Sequence, residues 1–334
     1  MSGVNIREVW AGNLAEEMAA IAEVVERYNH IALDTEFPGV VARPVGAAGS
    51  DYQYQTLRVN VDLLKIIQLG LTFSDEAGNM PEDVQCWQFN FHFSLASDIY
   101  AADAIELLTQ AGIDFAQHER HGIDVAEFGE LLTSSGVVLN EDVSWVSFHS
   151  GFDFGYLLKV LTSSALPASE VDFLDLLATY FPRLYDMKYL MLASDKLYGG
   201  LNKLAEIYHV DRHGQMHQAG SDSLVTLHVF LRMKEETFRG AVPLPLAGIL
   251  FGLGSASSTL PGLLLNGRGQ PAQTPEGERA AAGAASGGAD AQSQSPGKAK
   301  LADAGGSKSS ALGLGVPPAM TSADEPTPAR DGAT

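Results

Sequence analysis

Three apolar, strand-like runs lie close together in the first hundred residues, and they constrain the fold more than any other feature of the sequence. They are IALDTEF at 31–37, LLKIIQLGLTF at 63–73 and VQCWQFNFHF at 84–93. The last two runs are joined by SDEAGNMPED, a segment rich in turn-forming residues. Runs of this length separated by turn signals predict neighbouring strands of one sheet.

Helical patterns surround these runs. The amphipathic segment NLAEEMAAIAEVVERYNH predicts a helix with Asn13 as N-cap and Glu16 as its capping-box partner. The chain from Ala96 to about Ser134 is also helical in pattern, and the strand-like VSWVSFH follows it. Four further helical segments come next: FGYLLKVLT, EVDFLDLLATYF, LNKLAEIYHV and SLVTLHVFLRM. Neighbouring strands followed by strand–helix alternation predict an α/β fold, a mixed sheet flanked by helices.

The composition changes sharply towards the C-terminal end. Beyond Phe251 the sequence has no aromatic residue, and Ala, Gly, Ser and Pro dominate. Such a segment buries too little apolar surface to offset the entropy of ordering it. We therefore predict a single folded domain at 1–255 and a tail at 256–334 that is disordered from about residue 265.

Charge and cysteine content limit the classes of protein that fit this sequence. The formal net charge is −20, so the basic footprint of many nucleic-acid binders is missing. An enzyme whose metal ions supply local positive charge is still compatible with it. Cys86 is the only cysteine, which excludes an intramolecular disulfide and a cysteine zinc site. With no signal peptide or membrane span in the pattern, we expect an intracellular, soluble protein.

Two carboxylates interrupt the first apolar run. Asp34 and Glu36 are two residues apart, so on a strand they point to the same face, whereas Thr35 points away. Two like charges at that spacing are costly to bury unless a cation or a shared proton offsets their repulsion. The alternative is an exposed strand end with solvated acids, and this motif alone does not decide between the two.

Two later segments carry further acids and a histidine. Asp153 follows the strand-like VSWVSFH and begins a helix, where the helix macrodipole alone would favour an acid. His217 precedes Asp222 by five residues, at the head of the last convincing helix. The alternatives here are that Ser221 or Asp222 only caps that helix and that His217 is an ordinary loop histidine.

Taken together, the four acids and the histidine indicate a metal-dependent hydrolase. Carboxylate oxygens suit hard ions such as Mg²⁺ or Mn²⁺. A pair of such ions can neutralise the attacking and leaving oxygens of a phosphodiester, and a histidine beside the attacking water can act as general base.

The same residues carry a family resemblance. The set resembles the DEDD exonuclease superfamily in its histidine subgroup, which has a ribonuclease-H-like fold. More closely, the chain from about residue 5 to 255 resembles the Caf/Pop-type deadenylase subunits of the CCR–NOT complex. Six strings carry this resemblance: ALDTEFPGVVARPVG, DYQYQTLRVNVDLLKIIQLGLTF, WQFNFHF, ELLTSSGVVL, FHSGFDFGYLLKVL and HQAGSDSL.

The resemblance implies an activity and a site. It implies a 3′→5′ exoribonuclease that shortens poly(A) tails of mRNA and releases 5′-AMP with two divalent ions, Mg²⁺ or Mn²⁺. The implied metal ligands are Asp34, Glu36, Asp153 and Asp222, and the implied general base is His217. The implied partners are the CCR–NOT scaffold and a second deadenylase subunit, in cytoplasm and nucleus, with no membrane. Two alternatives stay open, a DEDD exonuclease trimming other RNA 3′ ends and a mainly scaffolding subunit.

Other residues near these motifs receive weaker predictions. Asp186 is either a fifth acid of the site or, as we favour, a strand-end or loop acid. Lys188 either meets a phosphate or is solvated, and His149 either supports the site or packs at a strand end. The phenylalanines that flank the site could stack on bases, although we expect most of them to be core: Phe37, Phe152 and Phe154.

Overall fold

One six-stranded mixed sheet organises the computed structural model, which describes residues 4–45, 50–194 and 196–254. The strand order is β1-β4-β3-β2-β5-β6. β3 runs antiparallel to both of its neighbours, and the other neighbouring pairs are parallel. The strands are β1 (Ile6–Val9), β2 (His30–Glu36), β3 (Gln68–Ser74), β4 (Cys86–Asn90), β5 (Ser144–Ser147) and β6 (Leu184–Asp186).

Ten α-helices pack around this sheet within the described ranges, and two short 3₁₀ turns, Met191–Ala193 and Leu244–Leu246, accompany them. The helices are α1 (Leu14–Val24), α2 (Ser50–Leu63), α3 (Ala102–Gln110), α4 (Phe115–His121), α5 (Val125–Ser134), α6 (Gly151–Thr162), α7 (Glu170–Tyr180), α8 (Met187–Leu190), α9 (Leu201–Ile207) and α10 (Ala219–Glu236). The predicted α/β class, a mixed sheet flanked by helices, is confirmed.

The two faces of β2 belong to different parts of the core. Leu33 lies in the larger apolar cluster, which includes side chains of α1, α2, α5, α6 and α7. Ala32 lies in a second cluster with residues of α8, α9 and α10. Because side chains alternate along a strand, Asp34 and Glu36 share the α10 face with Ala32, whereas Thr35 shares the α6 face with Leu33. The last residues of β2 therefore face α10 on one side of the sheet and α6 on the other.

The parallel pairing of β2 with β5 brings the later motif to the same edge of the sheet. His30 pairs with Ser144 and Ala32 with Val146, so the two strands run in register and in the same direction. The chain leaves β5 at Ser147 and begins α6 at Gly151. The first turn of α6 therefore lies beside the end of β2, since parallel strands end at one edge.

Two strands, β1 and β6, and two helices, α2 and α8, were not predicted from the sequence. β1 and β6 are only four and three residues long, too short to establish an alternating pattern. The run at 63–73 was predicted as one strand, but α2 extends to Leu63 and β3 begins only at Gln68. The first part of that run is therefore the end of a helix and a turn, and its apolar residues continue into the core: Leu64, Ile66 and Ile67.

The predicted capping box at the start of α1 is wrong. Asn13 does occupy the N-cap, but its side chain makes no cap hydrogen bond. Its amide oxygen instead accepts from the Trp10 backbone N–H at 2.8 Å, and its amide nitrogen donates to the Glu8 carbonyl at 3.1 Å. These contacts close the turn from β1 into α1. The prediction that Glu16 completes a capping box assumed that the Asn13 side chain faced the first turn of α1.

Three other predictions concern the C-terminal tail, membrane-spanning helices and the single cysteine. The predicted tail, 256–334, lies outside the described residues. Within those residues no helix is both long enough and apolar enough to cross a membrane. Cys86 is a buried free thiol at the start of β4.

Candidate active site

The site is built on the last residues of β2. Asp34 pairs across the sheet with Gly70 of β3, and Glu36 pairs with Gln68. A Cβ atom at Gly70 would lie 2.0 Å from the carbonyl oxygen of Ala219, so only glycine lets the start of α10 approach the sheet this closely. This contact brings α10 directly over the face that carries the two acids.

Asp153 reaches the site from the first turn of α6 and is held by β2 itself. Its Oδ1 accepts from the Thr35 backbone N–H at 2.9 Å and from the Thr35 hydroxyl at 2.6 Å. Only 8% of the Asp153 surface is exposed. The residue between the two acids of β2 thus fixes the third acid from the opposite face of the strand.

Asp222 completes the carboxylate set from the first turn of α10. Its Oδ1 pairs with Arg212 Nη1 at 2.5 Å, and its Oδ2 accepts from the His217 backbone N–H at 3.0 Å. The other guanidinium nitrogen of Arg212 donates to Asn202 of α9 at 2.8 Å. Arg212 therefore connects the carboxylate to α9 and stiffens the loop between α9 and α10.

His217 lies on that loop, two residues before α10 begins. Its backbone has a φ of +62°, in the left-handed region that non-glycine residues seldom adopt. Ligand atoms of His217, Glu36 and Asp222 all lie within 4.8 Å of one another. The imidazole is thus close enough to the acids to act either as a ligand or as a base for a water between them.

Burial, and for Asp34 and Glu36 the charges of neighbouring acids as well, disfavours the charged forms of the site carboxylates. Burial raises the pKa of Asp34 well above its usual value, and the charges of Asp153, Asp222 and Glu36 raise it further. Burial, followed by the charges of Asp222 and Asp153, raises the pKa of Glu36 to about 8. Burial also raises the pKa of Asp153 to about 6, although the hydrogen bonds from Thr35 oppose that change. The carboxylates are close enough for their charges to repel, and a bound cation would relieve that repulsion.

The donor set fits a hard divalent metal. Four carboxylates offer only oxygen ligands, which Mg²⁺ and Mn²⁺ prefer, and the one cysteine of the chain, Cys86, is not among the donors. Arg212 is a cation beside the acids, and a single guanidinium cannot balance four carboxylates. Asp34, Glu36, Asp153 and Asp222 would hold the ions.

We predict that Thr35 controls the metal site through Asp153. Thr35→Val keeps the shape of the side chain but removes its 2.6 Å hydrogen bond to the carboxylate. A hydrogen bond to a charged group contributes about 1.5–3 kcal/mol. The free energy of unfolding of the variant, measured in Mg²⁺, should therefore be lower than that of wild type by a similar amount. Thr35→Ser, which keeps the hydroxyl, is the matched control. Equal stability of the Val and Ser variants in denaturant titrations would contradict the prediction.

Asp186 is a strand-end acid with a structural role, as we favoured from the sequence. It is fully buried at the end of β6. Its carboxylate accepts from the backbone N–H groups of His149, Ser150, Lys188 and Phe251. These bonds fix the chain just before α6, and thus the approach of α6 to the site.

Lys188 and His149 lie beside this acid, outside the carboxylate cluster. The Lys188 ammonium donates to the Gly199 carbonyl at 2.6 Å and lies 5.9 Å from the centre of the Phe251 ring. His149 is exposed, has a φ of +58° and packs edge-on against the same ring. In this structure Lys188 is bonded to a carbonyl, and His149 packs at the strand end.

The three phenylalanines divide between core and groove. Phe154 is fully buried, as expected of a core residue. Phe37 and Phe152 are half-buried and stack on each other, with ring centres 5.2 Å apart and planes inclined by 14°. Both line a groove of about 380 Å³ that also contacts Asp153.

Sequence reasoning missed Thr35 and Arg212. Each acts by contacting a predicted site residue that is distant in sequence. Thr35 lies inside the recognised acidic motif, and its polar side chain on an otherwise apolar strand face was the available signal. Arg212 lies in a polar loop where an arginine carries no distinguishing pattern.

Comparison with known proteins identifies the family of this chain. Residues 9–128 match the family model described as CAF1 family ribonuclease. The Probable CCR4-associated factor 1 homolog 7 of Arabidopsis thaliana is 55% identical over 259 residues, which cover 75% of this chain and 94% of that protein. The Poly(A) ribonuclease pop2 of Schizosaccharomyces pombe is 50% identical over 257 residues, covering 76% and 77%.

Solved structures agree with the sequence comparison. The Mg²⁺- and Mn²⁺-bound form of S. pombe Pop2p matches with a TM-score of 0.73 and 50% identity, covering 74% of this chain and 99% of that one. CAF1 co-crystallised with the yeast NOT1 MIF4G domain matches with a TM-score of 0.65 and 35% identity, covering 74% and 96%. The ribonuclease-H-like fold predicted from the family resemblance is confirmed. The chain belongs to the CAF1 ribonuclease family.

Proposed function

We propose that this protein is a poly(A)-specific 3′→5′ exoribonuclease that releases 5′-AMP with the help of two divalent ions, Mg²⁺ or Mn²⁺. The observation that carries the proposal is the close approach of Glu36, His217 and Asp222, whose ligand atoms lie within 4.8 Å of one another. The charges of Asp153, Asp222 and Glu36 also act on the Asp34 carboxylate beside them. The names of the two S. pombe relatives support the choice of poly(A) as substrate and of these ions as cofactors.

The carboxylates and the histidine of the site have different roles in the reaction. Bound metal ions would lower the pKa of a water and neutralise charge on the attacking and leaving oxygens. The four carboxylates would hold these ions. His217 accepts the proton of the attacking water, for which an imidazole is suited near neutral pH. The backbone N–H of His217 holds Asp222 at the same time, which couples the base to a ligand.

We also propose that the protein works as one subunit of a larger complex. The yeast structure pairs a CAF1 chain with a NOT1 MIF4G domain, and the similarity of this chain to that CAF1 supports binding to a CCR–NOT scaffold together with a second deadenylase subunit. An mRNA-shortening enzyme would act in cytoplasm and nucleus. Co-purification of the full chain with a NOT1-type MIF4G domain tests the scaffold contact.

Substrate preference is tested with RNAs that differ only in their 3′ tails. We expect 5′-labelled RNA ending in oligo(A) to shorten fastest, oligo(U) and oligo(C) tails to shorten slowly, and EDTA to stop all shortening. Equal rates on all three tails would support the alternative, a DEDD-type exonuclease that trims other RNA 3′ ends. An inactive wild-type protein that still binds the MIF4G domain would support a scaffolding subunit.

The tail beyond the domain should be dispensable for catalysis. Residues 265–334 lack aromatic residues and have nothing from which to build a core. A chain ending at residue 264 should keep the deadenylation rate and the melting temperature of the full chain. A large loss of either quantity would show that the tail packs on the domain.

A further inference from the structure

The start of α10 is capped by side chains from the sheet and not by its own N-cap residue. Gln218 occupies the N-cap position but makes no capping hydrogen bond. The first N–H groups of a helix have no partners within the helix. Here Gln68 of β3 accepts from the Ala219 N–H at 3.3 Å, and Gln88 of β4 accepts from the Gly220 N–H at 2.8 Å.

The same two glutamines also hold the side chain of Gln218. The Gln218 Oε1 accepts from Gln68 Nε2 at 3.2 Å and from Gln88 Nε2 at 3.0 Å. The Gln218 Nε2 donates to the Ala111 carbonyl, just past α3, at 2.8 Å. The residue that follows His217 is therefore fixed by two strands and one loop.

Two further residues set the orientation of these amides. Gln68 Nε2 also donates to Asn90 at 2.8 Å, and Gln88 Nε2 also donates to Glu8 at 3.0 Å. Asn90 in turn donates to Glu8 at 2.7 Å. Rotating either glutamine amide by half a turn would place nitrogen against the helix N–H groups, so only one orientation satisfies the network.

The network works as a scaffold and not as a ligand site. It lines a cavity of about 460 Å³, so a polar ligand could reach it. However, Gln68, Gln88 and Asn90 are at most 3% exposed, and each of the two glutamine amide nitrogens already donates twice. No amide hydrogen of these glutamines is left to bind a ligand.

Close packing leaves the helix start little freedom to shift. A Cβ atom at Gly70 would meet the backbone of Ala219 at 2.0 Å, and one at Gly220 would lie 3.0 Å from the Gln88 amide oxygen. The segment held in this way joins His217 to the first turn of α10, which carries Asp222. We propose that Gln68 and Gln88, acting through Gln218 and the first turn of α10, are positioning residues for His217 and Asp222.

This inference rests on the proposed function, in which His217 is the base and Asp222 a metal ligand. Removing one strand glutamine should let the helix start move while His217 and Asp222 themselves stay unchanged. A misplacement of about 1 Å from a change outside the reacting groups can cost about 10²-fold in rate. The substitution should therefore lower kcat and leave KM for RNA nearly unchanged.

The test compares Gln88→Leu and Gln218→Ala with the control Gln85→Leu on oligo(A)-tailed RNA, at a temperature where all the proteins are folded. Gln85 lies just before β4 and bonds residues 5, 81 and 82, away from α10. We expect kcat to fall about 10²-fold in the first two variants, with KM within about threefold, while the control keeps kcat. If Gln88→Leu does not fold, Gln218→Ala decides.

A kcat within threefold of wild type in folded Gln218→Ala would overturn the inference. An inactive wild-type protein would instead overturn the proposed function, and full activity in His217→Ala would overturn the assignment of His217 as base. Hydrogen exchange at the His217 amide, which donates to Asp222, then decides the positioning role separately. Faster exchange in Gln88→Leu than in Gln85→Leu would support it, and equal exchange would overturn it.

Discussion

Millimolar Mn²⁺ or Mg²⁺ should raise the melting temperature of this protein by about 5 to 10 °C. An ion present at 100 times its Kd stabilises the native state by about 2.7 kcal/mol, and each kcal/mol shifts the melting temperature of a domain of this size by about 2–4 °C. The physical source of the shift is the repulsion among four carboxylates, two buried and two half-buried, which a divalent cation would relieve. The measurement is a thermal melt followed across a metal titration.

The control for this shift is the removal of one acid from the cluster. Asp34→Asn should blunt the metal-induced rise, because Asp34 faces the charges of the other three acids. The same variant should melt no lower than wild type without metal, since it removes a source of repulsion. A melting temperature that does not respond to millimolar metal in wild type would show that the acids do not form a metal site.

The second large effect is expected at His217. Removing a general base typically costs about 10²- to 10⁴-fold in rate, while the metal ligands stay in place. His217→Ala should therefore lose most of its turnover on oligo(A) RNA and keep the metal-induced melting shift of wild type. Asp34→Ala should lose both properties.

The two roles open to the imidazole give opposite results in that experiment. The ligand atoms of His217, Glu36 and Asp222 are close enough for the histidine to coordinate an ion directly. If His217→Ala abolished the metal shift as fully as Asp34→Ala does, His217 would be a ligand and its assignment as base would be wrong.

Much of the fold and the candidate site could be predicted from the sequence, because the relevant signals are local. The spacing of Asp34 and Glu36 on a strand fixes their common face whatever the rest of the fold. Asp153 and Asp222 each begin a helix with a clear apolar pattern, so their place in the first turn follows from the sequence. The structure brings these local features to one edge of the sheet.

What the sequence did not predict depends on contacts between distant segments. The side chain of Asn13 bonds Trp10 and Glu8 instead of capping α1, because the turn from β1 competes for it. The network behind α10 likewise needs Glu8, Gln68, Gln88, Asn90 and Gln218, which come from both ends of the domain. A glutamine within an apolar run shows that something polar is nearby, but not what it contacts.

The identity of the products tests the central claim most directly. Attack by water on the terminal phosphorus, with the 3′ oxygen departing, leaves the phosphate on the 5′ side of the released nucleotide. With 5′-labelled oligo(A) RNA, the account predicts a ladder that shortens one nucleotide at a time and 5′-AMP as the released product. EDTA and Asp34→Asn should each abolish both. Release of 3′-AMP or of longer oligonucleotides, or cleavage that persists in Asp34→Asn, would contradict it.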